Sequence, residues 1–211
     1  MRSLVCADLV QFDELSTDSS GFGYVPDAYH HLNFDGLYPF DPHADALKGK
    51  ISKYDLNCAV SAPNALYGAR FENGTTRLMR QHSETHDDVP GIHIDARSAA
   101  VFGLQPYFTL HSLKIKPLDI PLSHTTLYLR GYTSKQVLHW QVDFPLGFHN
   151  MLHVKMEEFS KRKWQELERL EIFANLHCDG GDWEFCLDDM EIEFHSILSN
   201  VSTQSAIGTR S

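Results

Sequence analysis

The chain has 211 residues, 42% hydrophobic and 11% aromatic, enough apolar material for one packed domain of sandwich size. Acidic residues outnumber basic ones by 28 to 18, giving a formal net charge of -10, and a surface of that sign repels phosphate backbones, which excludes nucleic acid as a partner. No apolar stretch is long enough to span a bilayer, and Asp8 interrupts the apolar run after Arg2; neither a membrane segment nor a secretory leader is expected, and the chain reads as cytoplasmic.

Short blocks of period-two alternation, separated by Gly, Pro, Asn and Asp, recur along the sequence. That is the pattern of an antiparallel sandwich rather than of parallel α/β units. Strands are expected over 8–14, 29–34, 57–61, 66–71, 92–104, 107–116, 124–132, 135–143, 151–157, 167–175 and 183–195. Segments 16–28 and 36–54 read as loops, and 72–90 as a long polar connection of the kind that carries function or moves. Charges at helical spacing in 157–170 allow a helical turn there. Residues 1–195 then form one domain and 196–211 a frayed tail.

Parity separates two faces of these strands. Leu127 and Leu129 must face the core, which sends Tyr128, Arg130 and Tyr132 outward; Leu138, Trp140 and Val142 likewise send His139 and Gln141 outward. For Phe108–Lys114 the resemblance given below implies that Phe108, Leu110 and Ser112 take the core parity, leaving Thr109, His111 and Leu113 outside. If these strands share a sheet, one surface gathers His111, Tyr128, Arg130, Tyr132, His139 and Gln141. Aromatic rings beside fixed donors suit a neutral, oxygen-rich ligand; the same residues also occur on ordinary solvated sheet faces. In the closing strand Trp183, Phe185 and Leu187 share one parity and Met190, Ile192 and Phe194 the other, so a β-bulge is expected at Asp188 and Asp189.

The four cysteines fit no zinc spacing and suit free thiols, with a Cys178 to Cys186 pair as the alternative. The sequons at Asn73 and Asn200 matter only on a secretory route. His30, His31, His82, His86 and His93 lack paired-ligand spacing, and no GxSxG, GxGxxG or P-loop is present, so no serine hydrolase or nucleotide cofactor is indicated. Asp87, Asp88, Glu157 and Glu158 read as solvated charges.

The segments SAPNALY (Ser61–Tyr67), FTLHSLKIKPL (Phe108–Leu118), LYLRGY (Leu127–Tyr132) and DWEFCLDDMEIEF (Asp182–Phe194), preceded by Phe12–Asp13 and by Tyr29, Leu32 and Phe34, resemble the strand series of galactose-binding-like, carbohydrate-binding-module β-sandwiches. The resemblance implies an all-β, jelly-roll antiparallel sandwich. It also implies a structural calcium held by Asp13 with Asp188 or Asp189, the alternative being that these acids cap strand ends or pair with bases.

In length, fold style and absence of a leader, the chain is also similar to small fungal proteins that catalyse intermolecular hetero-Diels-Alder additions of a tropolone quinone methide to a humulene-type sesquiterpene. That likeness implies a cofactor-free pericyclase in which Arg130, His111, His139 and Tyr132 act on the substrate while Tyr128, Gln141, Asn64 and Tyr67 help bind it. The alternative is a lectin-like module, in which aromatics stack on sugars and Arg130, Gln141 and Asn64 bond hydroxyls; a structural or assembly protein, or a homodimer, stays open. A deep apolar cavity favours the enzyme and an open shallow platform favours the module.

Overall fold

The computed structural model describes residues 7–70, 89–118, 124–177 and 181–197. Its strands are β1 (Ala7–Val10), β2 (Leu32–Asp35), β3 (Leu37–Phe40), β4 (Ala65–Gly68), β5 (Gly91–Ile94), β6 (Leu104–Pro117), β7 (Thr125–Tyr132), β8 (Val137–Phe144), β9 (Leu152–Lys155), β10 (Trp164–Leu167), β11 (Arg169–Leu176), β12 (Asp182–Trp183) and β13 (Phe185–Ser196), with short helices α1 (Ala96–Val101) and α2 (Met156–Ser160). The first sheet runs β10-β6-β13-β4-β3, with β1 on β13 and β9 on β6; the second runs β2-β5-β11-β7-β8, with β12 on β11. Every pairing is antiparallel, so the protein is an all-β sandwich. Among the described residues no helix is long and apolar enough to cross a membrane.

Alternation builds the core between the sheets. Leu127 and Leu129, Leu138, Leu170 and Ile172, and Ile92 and Ile94 point inward from the second sheet, meeting Phe108, Leu110, Phe185, Leu187 and Met190 from the first. Gly131 lies in β7 because a side chain there would collide with Leu167 and Trp164 beneath it, at 2.8 and 3.0 Å.

The expected bulge is present. Asp188 pairs with Lys114 but Glu191 with Ser112, and Asp189 takes a left-handed φ of 44°, so one extra residue enters β13. A second slip follows on β6, where Ile192 pairs with Leu110. That slip overturns the parity expected beyond His111: Leu113 is buried in the core, and Ser112 instead donates to Glu191 at 3.1 Å.

Other departures are local. Residues 57–61 form no strand; Asp55–Asn57 is a 3-10 turn, and Asp188 accepts the N–H groups of Val60 and Ser61 at 2.7 and 3.0 Å that a strand neighbour would have taken. The segment expected as loop 36–54 contains β3, paired to β4. The run 92–104 breaks after Ile94 because Asp95 caps α1, accepting from Ser98 N at 2.5 Å, and the Ala-rich segment that follows favours helix. The helical turn allowed in 157–170 appears as α2.

Segment 41–63 folds over the outer face of the first sheet and builds a second apolar cluster from Phe22, Phe40, Leu47, Tyr67, Cys58 and Cys186. Cys58 and Cys186 are joined in a disulfide across 128 residues of sequence. This corrects both cysteine expectations: parity aims Cys186 at the covering segment rather than across a hairpin to Cys178, which with Cys6 lies outside the described residues. The same segment is tied down by a buried ion pair, Lys116 to Asp55 at 3.0 Å. The connection at 72–90 and the sequons Asn73 and Asn200 also fall largely or wholly outside the described residues.

Candidate functional site

On the second sheet the residues that alternate away from the core line up in rows across the strands. Tyr128 stands opposite Gln141 on β8 and Phe173 on β11; Arg130 stands opposite His139 and Glu171; Tyr132 stands opposite Val137 and Arg169. Five of the six residues expected on one surface are therefore neighbours, held on rigid strands.

Their contacts give the face a definite shape. Tyr128 and Phe173 stack with ring centroids 4.8 Å apart and planes 12° from parallel. The Arg130 guanidinium lies 4.6 Å from the Phe173 centroid, and that of Arg70 lies 5.9 Å from it, both within cation–π range. Phe173 is 3% exposed under these groups. Since Phe173 covers one side of Tyr128, the other side turns toward β8, where an open depression of about 500 Å³ is bounded by Tyr128, Arg130, His139 and Gln141. The Tyr132 hydroxyl donates to Glu171 Oε2 at 2.7 Å. That bond, reinforced by burial and by the Glu171 charge, raises the Tyr132 pKa against the opposing influence of Arg130. Glu171 also faces Arg169 Nε at 3.5 Å, and Thr126 donates to Asp143 at 2.7 Å at the other end of the face.

The remaining expected site residues lie elsewhere. His111 belongs to β6 in the first sheet, where Nε2 is 2.9 Å from Glu193 Oε2; the expectation that it joins the face assumed a neighbour relation that the topology does not have. Asn64 is buried and donates from Nδ2 to Leu15 O at 2.6 Å, fixing the turn after Phe12. Tyr67 is fully buried, edge-on to Phe22 at 5.4 Å, because β4 is covered on both sides. Neither Asn64 nor Tyr67 is open to a ligand.

The acidic pair at the bulge is occupied by donors. Asp188 accepts from Val60 and Ser61 N, and Asp189 accepts from Lys114 Nζ at 2.6 Å and Gln11 Nε2 at 3.1 Å. Burial pushes Asp188 up to about 6. For Asp189 burial acts in the same upward direction, but Lys114, Gln11 and Ser61 outweigh it and hold the pKa below the ordinary value. Asp13 instead borders a separate small depression with Gln11, Glu14, Tyr29 and His30. Among the described residues no three His, Cys, Asp or Glu side chains converge on a metal position. A carboxylate pair receiving N–H groups and an ammonium does not fit calcium, which needs six to eight oxygen ligands.

Phe173, Glu171, Arg169 and Arg70 were not anticipated for this face. A signal for the first three exists: in Arg169–Leu176 the core parity belongs to Leu170, Ile172 and Ala174, so Phe173 is an aromatic residue on the solvent parity.

No family model and no curated protein matches the chain. Among solved structures it is similar to a DUF4465 family protein from Bacteroides ovatus, at 13% identity over 89% of this chain and 88% of that one, with a TM-score of 0.46. It is also similar to a family 11 carbohydrate-binding module from Clostridium thermocellum, in complex with a β-1,3-1,4-mixed-linked tetrasaccharide, at 10% identity over 84% of this chain and 97% of that one, with a TM-score of 0.30. Likenesses of this size describe overlap only; the sandwich stands on its own strand pairing.

Proposed function

We propose that the protein is a carbohydrate-binding module whose ligand lies on the outer face of the second sheet. The observation that supports this reading is the open depression beside the Tyr128–Phe173 stack, where an aromatic ring meets the guanidinium, imidazole and amide of Arg130, His139 and Gln141. A sugar presents apolar C–H faces and a rim of hydroxyls, so it matches a ring flanked by fixed donors and acceptors. The cycloaddition implied by the second resemblance asks instead for an enclosure that shields a terpene from water, and this depression is open, with polar and apolar groups mixed along its lining.

The Cys58–Cys186 bond supports an oxidising compartment rather than the cytosol expected from the first residues, because thiols of cytosolic proteins are kept reduced. Such a setting suits a protein that meets polysaccharide. The test is a glycan array spanning neutral and acidic oligosaccharides, followed by calorimetry on the retained glycans. Retention that Tyr128→Ala weakens is expected; no retention of any glycan, or retention unchanged by Tyr128→Ala, would rule out a ligand on this face.

A further inference from the structure

Arg130 stands apart from the other charged groups of the second sheet's outer face. Asp35 has His93 at 3.1 Å, Asp143 has Thr126, and Glu171, the register partner of Arg130, turns to Tyr132 and Arg169 instead. Among the described residues Arg130 forms no ion pair, in a chain carrying 28 acidic residues against 18 basic ones. Its guanidinium is held against the Phe173 ring at 4.6 Å and also reaches the Tyr132 hydroxyl, contacts that fix the plane of the group and together use fewer than the five N–H donors a guanidinium carries. Arg130 borders the depression with His139 and Gln141, and Arg70 places a second guanidinium near the same ring. A guanidinium with a fixed plane matches the two oxygens of a carboxylate better than it matches a single hydroxyl.

We propose that Arg130 reads a carboxylate, and that the carbohydrate bound on this face is an oligomer of a uronic acid. This rests on the carbohydrate reading above and narrows it. Phe173 acts in it as a positioning residue for the guanidinium. The protein's overall negative charge opposes such a ligand only weakly at physiological ionic strength, where charges beyond roughly 8 Å are screened, so local geometry decides.

The experiment is calorimetry with oligomers of galacturonate, glucuronate and mannuronate, each compared with its methyl-esterified form, which keeps the backbone and removes the charge. At least one acid is expected to bind about ten- to a hundredfold more tightly than its ester, with an affinity that falls as salt rises. Arg130→Gln should abolish that difference, and Arg130→Lys should restore only part of it, because an ammonium cannot form the two-pronged bond. Amide spectra of both variants confirm the fold. Equal binding of acid and ester, or an acid preference that survives Arg130→Gln in a folded protein, would overturn the proposal while leaving the carbohydrate reading intact. Failure of every acid and ester together with every neutral oligosaccharide on the array would overturn both.

Discussion

Tyr128 and Phe173 stand ring to ring across β7 and β11, 4.8 Å apart and 12° from parallel, on the side of the sheet where alternation puts polar residues. Phe173 is buried beneath the neighbouring side chains while Tyr128 stays half-buried, and the pair gives the face a rigid apolar element. A double-mutant cycle with Tyr128→Leu and Phe173→Leu, read by urea denaturation, should return a coupling of about 0.5–1.5 kcal/mol. A coupling near zero would mean that the rings are merely adjacent.

Asp188 makes stability depend on pH in an unusual direction. Burial raises its pKa to about 6 in the folded protein from an ordinary value of 3.8, so the native state holds the proton more tightly than the unfolded chain does. The resulting stabilisation is fully present below about pH 4 and is lost as pH rises through 6. Asp189, shifted downward, works oppositely and withdraws stability only as pH falls below its ordinary range. Denaturation between pH 4 and 8 should therefore show a loss in the wild type that Asp188→Asn removes; identical pH profiles for the two proteins would contradict the buried assignment.

The Cys58–Cys186 bond closes 128 residues of sequence and anchors the segment over the first sheet. Replacing both cysteines with alanine should lower stability by about 2–5 kcal/mol. Because the bond is on the sheet opposite the candidate site, glycan affinity of the folded variant should stay within about twofold by calorimetry. A large affinity loss in a variant with a native amide spectrum would place the ligand on the first sheet.

The fold and half of the candidate site could be read from the sequence for the same reason. Period-two alternation fixes which side chains leave the core, and Tyr128, Arg130, Tyr132, His139 and Gln141 followed from it without knowledge of topology, because β7 and β8 are consecutive and pair directly. His111 failed because β6 precedes β7 in sequence but belongs to the other sheet, and alternation carries no information about sheet membership. The bulge was visible as a parity switch between Leu187 and Met190. Its companion on β6 was hidden, since Ser112 followed by Leu113 breaks no pattern unless Glu191 is known to stand opposite. Asn64 and Tyr67 were misplaced because their burial comes from segments 12–22 and 41–63, whose irregular path no periodicity reveals. The disulfide was out of reach for the same reason.

Amide chemical-shift mapping locates the proposed ligand on one sheet or the other. The ¹⁵N-labelled protein is titrated with the tightest oligosaccharide from the array, and perturbed amides are mapped by residue. The largest shifts are expected on Tyr128–Tyr132, Val137–Gln141 and Glu171–Phe173, with little change at His111 or Glu193. Shifts concentrated on β6 and β13, with β7 and β8 unaffected, would contradict this placement.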